Sequence, residues 1–303
     1  MCEVTKEEEK AMVEEIHERY PNESWPEVSC ERLQLAGMHD MGAISDRMAN
    51  VVWTKHEKTG EDVPNVVGIR SDEYKFIRYE VLTKKFEETL AEYDSFGKPT
   101  FSFMFPSDGA RFICNVDFPE AVKVIKENGP TKGGDISPSC GFKSSLDMKW
   151  EYSSFIGAIR LVCTNGMIAY HLESQMKKKH RMTLDVNEIN KHVIPTLDRF
   201  DDQMKVWNAW SETQFTALQT EQMMEILPFG NRHSEEILAL PETGTGESLE
   251  QWMKRDKVNK MDMNNVLTQF LTHEIESEMV RVDKAQKVSR IFHDHERYFK
   301  KAA

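Results

Sequence analysis

The chain has 303 residues, of which 39% are hydrophobic, and a formal net charge of −12 at pH 7. This length can supply one large hydrophobic core or two modest ones. There is no run of 18 apolar residues and no basic-then-apolar leader, so we expect neither a membrane-spanning nor a secreted protein, but a cytoplasmic one. The acidic balance excludes a general attraction to polyanions, so any role on nucleic acid must depend on a local basic patch.

Residues 5–20 predict a short helix, and residues 1–20 are acidic, with seven acids against three bases. Thr5 followed by Glu8 is the spacing of a capping box, which satisfies free amide groups at a helix start. Residues 21–45 lack clear periodicity and are predicted to be loop with a turn of helix. The acidic helix is either a solvated arm or an arm that occupies a basic groove, its own or a neighbour's, until a polyanion displaces it.

Residues 46–241 predict an α+β core, a twisted and mainly antiparallel sheet with hairpins and flanking helices. We expect strands at 49–55 and 65–70, a helix at 80–93, hairpin strands at 100–105 and 111–116, and a short helix at 119–128. The segment from Pro106 to Gly109 has the residues of a tight turn. Phe101, Phe103 and Phe105 alternate along one strand and are predicted core residues.

Residues 242–303 predict a linker and a helical C-terminal region. Apolar residues recur about every 3.6 positions from Leu267 to Phe292, which indicates one long amphipathic helix. Such a helix extends beyond a small core, so we expect it to pack on another helix of the same or a neighbouring subunit.

Residues 142–181 form a local basic segment, with seven Lys or Arg against three acids. We interpret it as a strand, a turn and the start of a basic helix, with aromatic residues between the cations. Residues 70–79 repeat this alternation, so the two segments could line one groove, since single strands are bound by cations and stacking rings. The predicted nucleic-acid-binding residues are Lys143, Lys149, Trp150, Tyr152, Arg160, Lys177, Lys178, Lys179, Arg181, Arg70, Lys75 and Arg78. The alternative is that the lysine run is only a solvated turn.

Catalytic and metal-binding patterns are weak, and we predict a protein that is not an enzyme and needs no metal or cofactor. No phosphate-binding glycine loop, HExxH or GxSxG occurs. The five cysteines are scattered and never form CxxC, which indicates free thiols. Cys163 lies near His171 in sequence, but its apolar strand favours a buried, inert thiol.

The run from Ser154 to Met167, which contains RLVCTNGM, is followed by Lys179-His180. It resembles the signature of a family of phage- and plasmid-encoded proteins of unknown function, over residues 66–215. The resemblance implies a mobile-element origin and a mixed α and β fold, and supplies no catalytic residues. The family-typical positions are Arg160, Cys163, Thr164, Asn165 and His180.

The polar group Cys163, Thr164, Asn165 and Gly166 is predicted to be a structural turn. Thr and Asn side chains can bond nearby backbone groups, and Asn-Gly tolerates the left-handed conformation.

Two functional hypotheses follow. The first is an oligomeric protein of phage or plasmid origin that binds and anneals single-stranded DNA in recombination, in the cytoplasm of the host cell. The second is a non-enzymatic phage interaction protein whose acidic surface binds a host factor.

Overall fold

The computed structural model describes residues 5–34, 44–55, 59–71, 73–91, 93–125, 135–160, 166–167, 177–180, 184–242, 245–255, 257–275 and 278–294. Its helices are α1 Lys6–Arg19, α2 Tyr79–Leu90, α3 Val186–Asn190, α4 Val193–Asp198, α5 Phe200–Glu212, α6 Ala217–Ile226, α7 Asn231–Ala239, α8 Leu249–Met253, α9 Lys260–His273 and α10 Glu278–His293. Its strands are β1 Glu27–Gln34, β2 Ile44–Lys55, β3 Asp62–Arg70, β4 Thr100–Met104, β5 Arg111–Asp117, β6 Lys123–Val124, β7 Asp135–Ser145, β8 Tyr152–Arg160, β9 Gly166–Met167, β10 Lys177–Lys178, β11 Gln214–Phe215 and β12 Val258–Asn259.

The strands form antiparallel sheets, which confirms the predicted α+β class. A seven-stranded sheet has the order β10-β8-β7-β5-β4, with β6 beside β7 and β9 beside β8. A second sheet has the order β1-β2-β3. The predicted hairpin is present as β4 and β5, and Ser107, Asp108 and Gly109 in its turn have positive φ angles.

The buried apolar residues form two main clusters. One lies on the seven-stranded sheet and includes Phe112, Phe142 and Leu197. The other joins α5 to the C-terminal helices, with Trp207 and Phe292 among its members. Ile125 and Ile136 also belong to this second cluster, so the two clusters do not separate at one point of the chain, and the domain boundary at residues 241–242 stays a prediction.

The N-terminal helix is confirmed, and its capping box between Thr5 and Glu8 is formed. The prediction of a loop at residues 21–45 is wrong for its middle part, where β1 pairs with β2 along its length. Val28 is buried while Glu27 is exposed, so the strand has one core-facing side despite its polar composition.

Two other predicted helices differ from the structure. The described part of residues 119–128 contains β6, whose Lys123 pairs with Ile136 of β7 in place of a helical turn. The long C-terminal helix is divided into α9 and α10, which contact each other. Leu267 and Phe292, from opposite ends of the predicted stripe, thereby reach one core.

Candidate nucleic-acid interface

The turn between β7 and β8 presents side chains at the surface because its own polar groups fix its backbone. The amide of Trp150 donates to Ser145 Oγ at 3.0 Å, and the amide of Lys149 donates to Asp147 Oδ1 at 3.0 Å. Asp147 also pairs with the buried guanidinium of Arg111 at 2.8 Å. Met148 completes the turn with a φ of 60°. Lys149 is therefore exposed and Trp150 is half-buried on a fixed loop.

A cleft of about 640 Å³ opens beside this turn. Residues from three separate parts of the chain line it: Ser71, Glu73, Tyr74, Lys143, Met148, Lys149, Trp150, Glu151, Ser153, Lys179 and His180. Three lysines and two glutamates give this lining a formal surplus of one positive charge. The volume falls in the range of small-molecule sites.

Segment 177–180 forms another wall of the cleft. Its backbone pairs with β8, where Lys178 lies opposite Tyr152. The carbonyl of His180 accepts a hydrogen bond from the amide of Lys75 at 3.0 Å. These contacts hold Lys179 at the cleft with its side chain exposed.

His180 contributes a neutral ring to this wall. It stacks on Tyr74 with 5.0 Å between ring centroids and an interplanar angle of 12°. Its Nε2 lies 3.2 Å from Ser144 Oγ. Burial lowers the pKa of the His180 imidazole to about 4, so it adds no cation to the cleft at pH 7.

Trp150 contributes an indole ring to the cleft, next to two cationic side chains. Lys143 Nζ lies 5.1 Å and Arg111 Cζ lies 5.0 Å from the centroid of its indole ring. Cations at such distances are attracted by the ring quadrupole. Lys143 is only 9% exposed, so its ammonium is held next to the indole within the cleft wall.

Four of the predicted binding residues are thus brought together: Lys143, Lys149, Trp150 and Lys179. The expected contribution from residues 70–79 is made by Glu73 and Tyr74. These two residues, with Glu151 and His180, were missing from the predicted set. The sequence signals for them were the alternation of charged and aromatic residues in both segments and, for His180, its place among the family-typical positions.

The three cations predicted in the earlier segment are used inside the protein. Arg70 donates to Asn50 Oδ1 at 3.1 Å and to the Tyr74 carbonyl at 2.6 Å. Lys75 Nζ donates to the Leu184 carbonyl at 3.0 Å. These contacts tie loops to the sheet, so both side chains contribute to the fold and neither lines the cleft.

Arg78 also lies away from the cleft lining. Its Nε is 3.7 Å from Glu80 Oε2, and Glu80 is 1% exposed. The guanidinium therefore lies beside a buried carboxylate on α2.

Tyr152 was predicted to stack on a base, and the structure contradicts that role. Its side chain is fully buried, and its hydroxyl donates to Asn190 Oδ1 at 2.7 Å. The ring belongs to the sheet core, so no base can reach it.

The remaining predicted residues lie in β8, β9, β10 and the segments next to them. The backbones of Lys177 and Lys178 form β10, so the predicted basic helix is wrong there. Arg160 ends β8, and Gly166 of the predicted turn begins β9. Arg181, Cys163, Thr164 and Asn165 lie outside the described residues.

The acidic N-terminal helix lies on α2 and does not line the cleft. Arg19 donates to Glu87 at 2.5 Å, and His17 Nε2 lies 3.1 Å from Glu80 Oε1. In this structure the acidic helix therefore does not fill a basic groove of its own chain.

Two further observations concern metal binding and membrane insertion. Within the described ranges, no group of three or more His, Cys, Asp or Glu residues is placed to hold a metal ion. No helix in the part of the chain with assigned structure is long and apolar enough to cross a membrane.

Comparison with known proteins gives one partial similarity. No protein-family model matches the chain, and no solved structure matches it. Over 201 residues the chain is 29% identical to a Dictyostelium discoideum protein named probable inactive O-methyltransferase 11. The matched region is 56% of this chain and 57% of that protein, so the chain spans little more than half of that relative's length. Similarity of this extent does not place the chain in a family.

Proposed function

We propose that this protein binds single-stranded nucleic acid through the basic cleft, without catalysing a reaction. The supporting observation is that Lys143, Lys149, Lys179 and Trp150 line one cleft. Single strands are bound by cations that contact phosphates and by rings on which bases stack. In a chain of net charge −12, this local surplus of positive charge is the feature that suits an anionic aromatic ligand.

Strand annealing by an oligomer of phage or plasmid origin is the fuller form of this proposal. It is supported by the sequence resemblance around residues 154–167. Part of the chain is similar to a protein named probable inactive O-methyltransferase 11, and this name is compatible with the non-catalytic part of the proposal. Light scattering and an annealing assay with complementary oligonucleotides test the oligomer and the annealing activity directly.

The decisive experiment is fluorescence anisotropy with a labelled single-stranded oligonucleotide over a salt series. The two exposed lysines, Lys149 and Lys179, can neutralise at most two phosphates, which predicts a slope of about −1.4 or shallower for log affinity against log salt, or up to roughly sevenfold weaker binding at 200 mM than at 50 mM. The variant Lys149→Ala/Lys179→Ala should bind at least about tenfold more weakly at 50 mM salt, with a slope near zero, because the remaining Lys143 is buried beside the indole.

Matched variants separate local from general charge effects. Lys98 and Lys257 are exposed lysines that do not line the cleft, so Lys98→Ala/Lys257→Ala should retain wild-type affinity within about twofold. Trp150→Ala should lose roughly 5- to 150-fold in affinity, the range for one stacked base, and Trp150→Phe should lose less. Absence of binding at about 50 mM salt would refute the proposal. A protein partner recovered from nuclease-treated host lysate would then favour the host-factor hypothesis.

A further inference from the structure

The number of rings in the cleft limits how many bases it can stack. Trp150 is half-buried and lines the cleft. Tyr74 also lines it, but its ring stacks on His180, 5.0 Å away, and its hydroxyl donates to the Ser145 carbonyl at 2.8 Å. Tyr152 is fully buried. Among the described residues that line the cleft, Trp150 is therefore the one ring left to stack on a base.

The charged side chains that line the cleft likewise limit how many phosphates of a strand it can bind. Lys149 and Lys179 are exposed at the cleft and can approach a phosphate, whereas Lys143 is 9% exposed beside the indole. Glu73 and Glu151 line the same cleft. Carboxylates repel the phosphates that precede and follow a bound nucleotide, while they can accept hydrogen bonds from sugar hydroxyls or base amino groups.

The size of the cleft agrees with these limits. A groove that follows a strand carries a row of cations and covers about 4 to 16 nucleotides. Here a cleft of about 640 Å³ is bounded by a fixed turn and by segment 177–180. This is the volume of a small-molecule site.

We infer that the cleft is a single-nucleotide site, in which one unstacked base lies on Trp150 and its phosphate contacts Lys149 and Lys179. This inference rests on the proposed function and specifies its ligand. Each protein chain then holds one nucleotide of a strand, and free nucleoside 5′-monophosphates occupy the same cleft. An oligomer would bind a longer strand by presenting one such cleft for each subunit.

The test is competition against a labelled single-stranded oligonucleotide on the full chain at about 50 mM salt. A nucleoside 5′-monophosphate should displace half of the label at a concentration on the order of 1 mM. The nucleoside alone and inorganic phosphate alone should each require at least about tenfold more, because each lacks one of the two contacts. Tryptophan fluorescence should be quenched by the monophosphate in wild type and much less in Trp150→Phe.

Neutralising the two glutamates examines the charge argument. Glu73→Gln/Glu151→Gln should raise affinity for the oligonucleotide by roughly three- to tenfold, and affinity for the monophosphate by less. Glu221 and Glu235 are exposed and do not line the cleft, so Glu221→Gln/Glu235→Gln should change neither affinity by more than about twofold.

The outcomes are distinguishable. Oligonucleotide binding that no monophosphate displaces, or a salt slope near −4 or steeper for a single chain, overturns the single-nucleotide site and leaves the proposed function intact. If neither the oligonucleotide nor the monophosphate binds, the proposed function and the inference both fail.

Discussion

Removing the Tyr152 hydroxyl is the most direct test of how the structure divides core from surface beside the cleft. Tyr152 and Asn190 are both fully buried, and the hydroxyl donates to Asn190 Oδ1 at 2.7 Å. Tyr152→Phe retains the ring, so it leaves no large cavity. It removes one hydrogen bond and leaves a buried acceptor unpaired, which costs about 1 to 3 kcal/mol. We expect the free energy of unfolding to fall by about 2 kcal/mol.

The assay is urea denaturation followed by circular dichroism, together with the oligonucleotide titration. The denaturation midpoint should fall with an unchanged slope, and affinity should stay within about twofold because the ring does not face the cleft. Tyr152→Phe/Asn190→Leu removes both polar partners and should recover part of the loss. Unchanged stability with at least about tenfold weaker binding would refute the assignment of Tyr152 to the core.

Three further predictions follow from the structure. A Cβ at Gly141 would lie 2.1 Å from a carbonyl oxygen of β5, so Gly141→Ala should lower the free energy of unfolding by about 3 kcal/mol or more. A Cβ at Gly230 has nothing within 4 Å, so Gly230→Ala should cost at most about 1 kcal/mol. Thermal denaturation of the two variants compares these losses. Because burial lowers the pKa of His180 to about 4, below its ordinary 6.5, the folded state binds fewer protons and stability should rise with pH between these values. Burial raises the pKa of Asp117 to about 6, which changes the pH dependence of stability in the opposite direction. NMR titration of the His180 ring therefore measures the effect of His180 more directly than stability does. A titration midpoint near 6.5 would contradict the burial of His180. Glu87→Gln should weaken the docking of α1 and speed hydrogen exchange of its amides by about tenfold, and unchanged exchange would show that this contact does not hold the helix.

The resemblance, the proposed oligomer and the origin of the chain remain predictions, but several elements could be located from local signals. The capping box of Thr5 and Glu8 marked the start of α1 to the residue, because a cap depends on atoms three positions apart. The turn from Pro106 to Gly109 marked the β4–β5 hairpin for a similar reason. The burial of Leu267 and Phe292 followed from the helical spacing of the apolar residues between them.

Decisions that depend on distant contacts were beyond these signals. β1 was missed because its polar sequence becomes a strand only by pairing with β2. The stripe from Leu267 to Phe292 indicates a period, but it does not show that the chain folds back between α9 and α10. Segment 177–180 is strand-like only because β8 lies beside it.

In the candidate site, too, some features follow from the sequence and others only from the tertiary structure. The sequence by itself determined that cations and aromatic residues are concentrated at residues 142–181 in an otherwise acidic chain. Only the tertiary structure decided that Trp150 lines a cleft while Tyr152, two residues later, is buried against Asn190, and that Arg70 bonds loop carbonyls while Lys179 is exposed. The physical reason is that composition is a property of the chain, whereas exposure depends on which distant element covers each side chain.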